Sequence, residues 1–166
     1  MSLVNRIALL QNYDKEDKRA LEMANALTGN LNNIFQNAQV DVFISPRGDS
    51  FPNPKAYQLI VLSGGPHSLA VESLPLWIGE TFKFLRVAHE QTLAKIVGIC
   101  WGHLAIKKAL GGQVGNLSGE GTCVGVKPVY LNETGKEAFA KWKKTAANGG
   151  LLVSFGHPGT KELLFC

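Results

Sequence analysis

An α/β domain, with a mostly parallel central sheet held between layers of helices, is predicted by three observations on this 166-residue sequence. Short apolar runs recur along the chain: Val4 to Leu10, Val40 to Ile44, Leu59 to Leu62 and Lys95 to Ile99. Segments of helical length and helical periodicity, Glu16 to Phe35 and Leu74 to Glu90, separate the first run from the second and the third from the fourth. Two of the runs end in glycine-rich turns. Strands buried on both faces read as continuous apolar runs, and sheets of this kind collect their ligands at the carboxyl ends of the strands.

Each element has its own signal. Val4 to Leu10 is a strand of the fully buried type, and Val40 to Ile44 and Leu59 to Leu62 repeat the pattern. Between the first two, Leu21, Ala24, Leu27, Leu31 and Ile34 fall at helical spacing and are expected to face the sheet. A polar loop with Pro46, Gly48, Pro52 and Pro54 precedes the third strand. In the next helix Leu74, Ile78, Phe82 and Leu85 share one face, and Lys95 to Ile99 is the fourth strand. Beyond Leu110 the character changes. Glycines punctuate the short runs Thr122 to Val126 and Pro128 to Leu131, which suit antiparallel strands; Glu133 to Ala147 is helix-compatible, and Leu151 to Phe155 is a last strand candidate.

Length and composition bound the rest. A chain of this size, 45% hydrophobic and 18% charged, supports one sizeable core, so residues 1–166 are expected to form a single domain. The net charge of +4 is scattered, and its small clusters, Lys107-Lys108 and Lys141 to Lys144, read as solvated helix faces. Without aromatic residues interleaved in a basic stripe, no nucleic-acid partner is expected. No apolar run approaches the ~18 residues of a membrane span, and the first residues lack the form of a signal peptide, so the expected location is cytoplasmic. Cys100, Cys123 and Cys166 are odd in number and show no Cys-x-x-Cys spacing, which argues against a disulfide framework and against a metal site; no cofactor is expected.

The chemistry concentrates in two turns. In Gly98-Ile99-Cys100-Trp101-Gly102, an apolar strand runs through a Gly-x-Cys-x-Gly turn into a helix. Glycines on either side relieve the crowding of a sharp strand-to-helix turn, so that Cys100 projects at its apex as a nucleophile. Backbone N–H groups at a helix N-terminus are expected to favour its thiolate and to receive a developing oxyanion. Ser63-Gly64-Gly65-Pro66-His67-Ser68 follows the third strand, and its backbone can approach a ligand closely.

Together these motifs, in this order and each after an apolar strand, resemble the class I (triad-type) glutamine amidotransferases, clearest over residues 4–135. The resemblance implies a three-layer flavodoxin-like sandwich. It also implies hydrolysis of the glutamine side-chain amide to glutamate and ammonia, with glutamine or a related amide as substrate and a separate ammonia-accepting subunit as a possible partner. By resemblance Cys100 is the nucleophile, Gly64 and Gly65 belong to the oxyanion and substrate-binding loop, and Trp101 supplies a second oxyanion N–H while its indole walls the pocket. The family's base lies in a late His-Pro-Glu-type motif, which assigns it to His157, the late histidine of Gly156-His157-Pro158-Gly159, with Glu162 as the nearest acidic partner. His103 matches the elbow histidine that is generally not the base, His67 sits at a variable loop position, and His89 reads as a surface or helix-end residue.

The sequence departs from the pattern at three places. Gly159 stands where the orienting glutamate belongs, Leu104 stands where the family has glutamine, and the interval from Cys100 to His157 is short. Ala146 to Cys166 reads as an alternative or early-ended C-terminus. Poor glutamine hydrolysis is therefore expected. Two other readings accompany it: a catalytically degenerate binding or regulatory module, and a DJ-1/PfpI-like cysteine protein, which shares a cysteine elbow on such a sheet.

Overall fold

The computed structural model describes residues 4–13, 18–115, 124–129, 133 and 151–156. Contacts divide the chain into two compact units, Met1–Val114 and Gly115–Cys166. In the first, β1 (Arg6–Gln11), β2 (Gln39–Ile44), β3 (Leu59–Leu62) and β4 (Lys95–Gly98) form one parallel sheet in the order β2-β1-β3-β4. Helix α1 (Lys18–Ile34) links β1 to β2, α2 (Leu76–Gln91) links β3 to β4, and α3 (Trp101–Ala109) follows β4. This strand order is flavodoxin-like, and its topological switch point falls between β1 and β3.

Strand alternation sorts the side chains into two cores. Ile7 and Leu9 of β1 join Leu59 and Val61 of β3 and Leu31 of α1 on one face, with Leu27, Phe35 and Val40 packed against them. Ala8 and Leu10, with Ile60 and Leu62, point the other way, into a larger cluster with Ile78, Phe84, Leu85 and Ala88 of α2 and Trp101, Ala105 and Ala109 of α3. The three-layer α/β expectation holds: α1, sheet, then α2 and α3. Burying both faces of β1 and β3 is what turned these strands into uninterrupted apolar runs.

The helical face expected for α1 is corrected. Leu21 is 62% and Ile34 69% exposed, whereas Ala20 is buried with Leu31. The inward stripe therefore includes Ala20, Leu27 and Leu31, and a small alanine marks it less clearly than the leucine beside it. Strand β4 is also less enclosed than its apolar composition suggests. Ile96 packs against the core, but Val97 on the opposite face is 48% exposed. In the second unit a single strand, β5 (Val124–Val129), spans what the sequence split into two, and pairs antiparallel with β6 (Leu151–Gly156). Pro128 lies within β5, whose pairing partner among the described residues is β6 alone, and proline is tolerated in such edge positions. The helix expected over Glu133 to Ala147 lies outside the described residues except for Glu133. Among the described residues no helix is long and apolar enough to cross a membrane.

At the amino ends of the strands a polar network ties β1, β2 and the entry to β3 together. Arg6 Nη2 donates to Asp41 Oδ2 at 2.6 Å, Tyr57 Oη to the same oxygen at 2.9 Å, and Gln39 Nε2 to Asp41 Oδ1 at 2.6 Å. The Arg6 guanidinium also lies 4.9 Å from the centre of the Tyr57 ring. Burial raises the Asp41 carboxyl, but its donors outweigh burial and hold it below the usual carboxylate range. A depressed folded value contributes stability above the unfolded value and loses it as pH falls through the folded one. Asp41→Asn is therefore expected to lower the melting temperature near neutrality and to flatten the acid limb of stability against pH. Thermal melts between neutral and acid pH check this, and parallel limbs for the two proteins would refute it.

Candidate active site

The elbow forms because β4 meets α3 with almost no loop between them. The Ile99 N–H still donates to Leu62 O at 3.0 Å, as a continuation of the ladder, and α3 begins two residues later. Cys100 absorbs the whole change of direction, at φ 53° and ψ −108°, and among the described residues no other non-glycine residue has a positive φ. Its carbonyl accepts from the His103 and Leu104 N–H groups at 3.1 and 3.3 Å, closing the first turn of α3. Strain of this kind, on the order of 1–3 kcal/mol, persists only where the surroundings over-determine it. Here the surroundings are the two glycines. A Cβ on Gly98 would lie 2.4 Å from Gly102 C and His103 N, and one on Gly102 would lie 2.6 Å from Leu62 Cβ and 2.7 Å from Leu62 O. The glycines serve close approach of helix to strand, since neither has a positive φ.

The loop after β3 is braced from β1. Ser63 is fully buried; its N–H donates to Leu10 O at 3.0 Å and its hydroxyl to Gly64 O at 2.7 Å. The same hydroxyl accepts from the Asn12 N–H at 2.9 Å, while Asn12 Nδ2 donates to Ser63 O at 3.0 Å and Leu10 O at 3.3 Å. With its carbonyls tied back, the loop lies against the elbow. A Cβ on Gly64 would sit 3.7 Å from Cys100 Cβ and 3.8 Å from Met23 Sδ and Tyr13 Cε2. A Cβ on Gly65 would meet Asn12 O at 3.0 Å and Trp101 Cγ at 3.2 Å. Gly64, Gly65, Cys100 and Trp101 are thus brought together. The Gly65 N–H donates to no acceptor among the described residues, and the Trp101 N–H acts on the Cys100 sulfur.

Electrostatics modify the expectation for Cys100. The residue is reduced and open to solvent on one side, yet burial of the sulfur by surrounding protein pushes the thiol up, and the Trp101 N–H opposes this without overcoming it. The Trp101 N–H at the helix N-terminus does favour the thiolate here, but lost hydration outweighs it. Among the described residues no histidine hydrogen-bonds Cys100. His103 is half-buried, with its Nε2 unpartnered, and burial first and Lys107 second push it down, towards neutral imidazole. The His67 ring packs edge-on against Trp77, and His89 is exposed near the end of α2. His157 and Glu162, the candidate base and its partner, lie outside the described residues, as do Cys123 and Cys166.

Two further expectations change. The Trp101 indole is a core group, 1% exposed, so the ring faces the core and not an open cleft. Lys108 is not a merely solvated residue: its ammonium donates to Leu69 O, pinning the chain beyond the glycine loop to α3. Leu104, at the position of the family's glutamine, packs against the apolar core. The sequence reading missed Asn12, and with it Tyr13 and Met23 near Gly64. The available signal was Gln11-Asn12, two buried polar residues immediately after an apolar run, at the carboxyl end of a parallel strand.

Comparison with known proteins agrees with this geometry. A family model described as glutamine amidotransferase class-I matches residues 20–152. The chain is 34% identical over 135 residues to the glutamine amidotransferase-like protein chry6 of Gibberella zeae, covering 81% of this chain and 56% of that protein. It is 30% identical over 107 residues to the glutamine amidotransferase-like protein chyE of Penicillium rubens, covering 64% and 44%. The chain thus spans about half the length of these relatives. Among solved structures, a glutamine amidotransferase from Thermotoga maritima superposes with a TM-score of 0.64 at 22% identity, over 96% of this chain and 63% of that one. A glutamine amidotransferase from Methylobacillus flagellatus gives 0.66 at 18% identity, over 94% and 56%. At these identities the structural likeness speaks to the fold.

Proposed function

Because this chain belongs to the class I glutamine amidotransferase family, we propose that its cleft hydrolyses the side-chain amide of glutamine, slowly, through Cys100. The observation that carries the reading is the meeting of two backbone loops at one cysteine: Gly64 and Gly65 beside Cys100, with the N–H groups of Gly65 and Trp101 free of competing carbonyl acceptors. Sγ attacks the amide carbon, and these N–H groups receive the charge on its oxygen. The C–N bond then breaks, ammonia leaves with a proton from a general acid, and water cleaves the thioester to release glutamate. His157 is the residue we assign to proton transfer, on the resemblance alone. A raised Cys100 thiol makes that assistance necessary.

Leu104 and Gly159 set the expected rate. Leucine offers no hydrogen bond to the substrate, and Gly159 withholds the glutamate that the family uses to orient its base, so the factor of about 10²–10⁴ from general acid–base catalysis is expected to be partly lost. We place the consumer of ammonia in a separate subunit, as the family resemblance implies, and the protein in the cytosol, where a reduced nucleophilic thiol is maintained.

Labelling with the glutamine analogue diazo-oxo-norleucine, alongside ammonia release from saturating glutamine, tests the reading. Stoichiometric labelling at Cys100, slowed by glutamine and absent in Cys100→Ala, is expected, with turnover well below the usual enzyme range of about 1–10³ per second. Labelling of Cys100 that glutamine does not slow would overturn it in favour of DJ-1/PfpI-like thiol chemistry. No labelling at all would favour a binding module.

A further inference from the structure

The glycine loop and the elbow are joined by three aromatic rings in contact. The His67 ring, on the loop, lies edge-on to Trp77 at 5.2 Å between centroids, and Trp77 lies 5.4 Å from Trp101, the residue after the nucleophile. Trp77 stands in the first turn of α2. Its backbone is fixed there: the Ile78 N–H donates to Pro75 O at 3.0 Å, and the Thr81 hydroxyl donates to Trp77 O at 2.8 Å. Trp101 has no comparable polar anchor on its ring, because Nε1 is buried without a partner. Packing alone therefore orients the indole, from Gly65 on one side, whose added Cβ would reach Trp101 Cγ at 3.2 Å, and from Trp77 on another.

We propose that Trp77 is a positioning residue for the oxyanion donors, setting the separation of the Gly65 and Trp101 N–H groups by holding His67 on one side and the Trp101 indole on the other. It touches no reacting atom; it acts through its two aromatic neighbours. The inference rests on the proposed function for its chemical consequence, but not for its geometry. Lys108 ties α3 to Leu69, further along the same loop, so removing Trp77 leaves the segment attached while it frees the ring contacts and part of the packing of Trp77 against the core. Displacing oxyanion donors by even an ångström costs up to about 10²-fold in a reaction that depends on them. A reaction that needs only thiolate is insensitive to them.

The test compares wild type, Trp77→Leu and Trp77→Phe, each shown to be folded by far-UV circular dichroism. Two quantities are read: the ratio of Cys100 labelling rates with diazo-oxo-norleucine and with iodoacetamide, and the amide resonance of Gly65 in ¹⁵N-labelled protein. In Trp77→Leu the ratio is expected to fall between about 10-fold and 10²-fold. The Gly65 amide shifts while those of Ile60 and Leu62 in β3 stay in place, and Trp77→Phe recovers both quantities. An unchanged Gly65 amide in folded Trp77→Leu overturns the proposal, whatever happens to the melting temperature. If wild type takes no label from the analogue, the proposed function has failed and the Gly65 amide alone decides the role of Trp77. If the amide moves while the ratio holds in a labelled wild type, the ring contacts are structural and the positioning role is refuted.

Discussion

Gly98→Ala is expected to cost the protein a large part of its stability, more than about 3 kcal/mol, and to destroy the elbow. The added methyl would lie 2.4 Å from Gly102 C, 2.4 Å from His103 N and 2.5 Å from Gly102 O. All three are backbone atoms in the first turn of α3, so no side-chain rotation relieves the overlap. Either β4 or the start of α3 must move by roughly an ångström, and overpacking with softer neighbours already costs about 1–3 kcal/mol. Set against a typical total of about 5–15 kcal/mol, such a loss shows in any denaturation experiment. Gly79→Ala supplies the control. Gly79 lies inside α2 with nothing within 4 Å of an added Cβ, so the same substitution there is expected to stabilise by about 0.5–1 kcal/mol. Urea midpoints of the two variants should move in opposite directions, and equal shifts would refute the account of the elbow.

Asn12→Asp is the second large effect, although it changes one atom. Asn12 is fully buried, and its Nδ2 donates to Ser63 O at 3.0 Å and Leu10 O at 3.3 Å. A carboxylate in that place donates to neither carbonyl, opposes both, and carries a charge out of water, which together cost several kcal/mol. The sign with pH is distinctive. Burial against acceptors raises the new carboxyl above its unfolded value, so the charge-linked part of the destabilisation is absent below the unfolded value and complete above the folded one, while a neutral carboxyl still lacks one of the two donors. The variant is expected to be most stable in mild acid and to lose several kcal/mol relative to wild type by neutral pH. Iodoacetamide alkylation of Cys100 should accelerate over the same interval as the glycine loop comes loose from β1. A constant stability gap across pH would show that Asn12 does not brace the loop through its donors.

Most of the sheet was legible because its determinants are local. Both faces of β1 and β3 are covered, so Ile7 to Leu10 and Leu59 to Leu62 are apolar throughout and need no context to be recognised as strands. The face of α1 was less legible: Ala20 is buried while Leu21 and Ile34 point to solvent, and hydrophobicity ranks those residues in the opposite order. Lys108 was misread for a related reason. Composition marks a lysine as solvated, and only the fold brings Leu69 O within its reach.

At the site, the sequence by itself determined the parts. Gly-x-Cys-x-Gly and Ser-Gly-Gly-Pro after apolar runs identify a strand-to-helix elbow with a cysteine at its apex and a second glycine-rich loop, because glycine spacing and strand-to-helix turns are properties of a few neighbouring residues. The tertiary structure alone decided how the parts meet. It placed Gly64 against Cys100, put Asn12 under the glycine loop, turned the Trp101 ring into the core, and raised the Cys100 thiol where the local helix end would have lowered it. These outcomes depend on which groups from distant strands exclude water from one sulfur and which carbonyls they leave in need of a donor. Hydration and hydrogen-bond partnership are set by the three-dimensional surroundings of an atom, and neighbours along the chain supply only part of them.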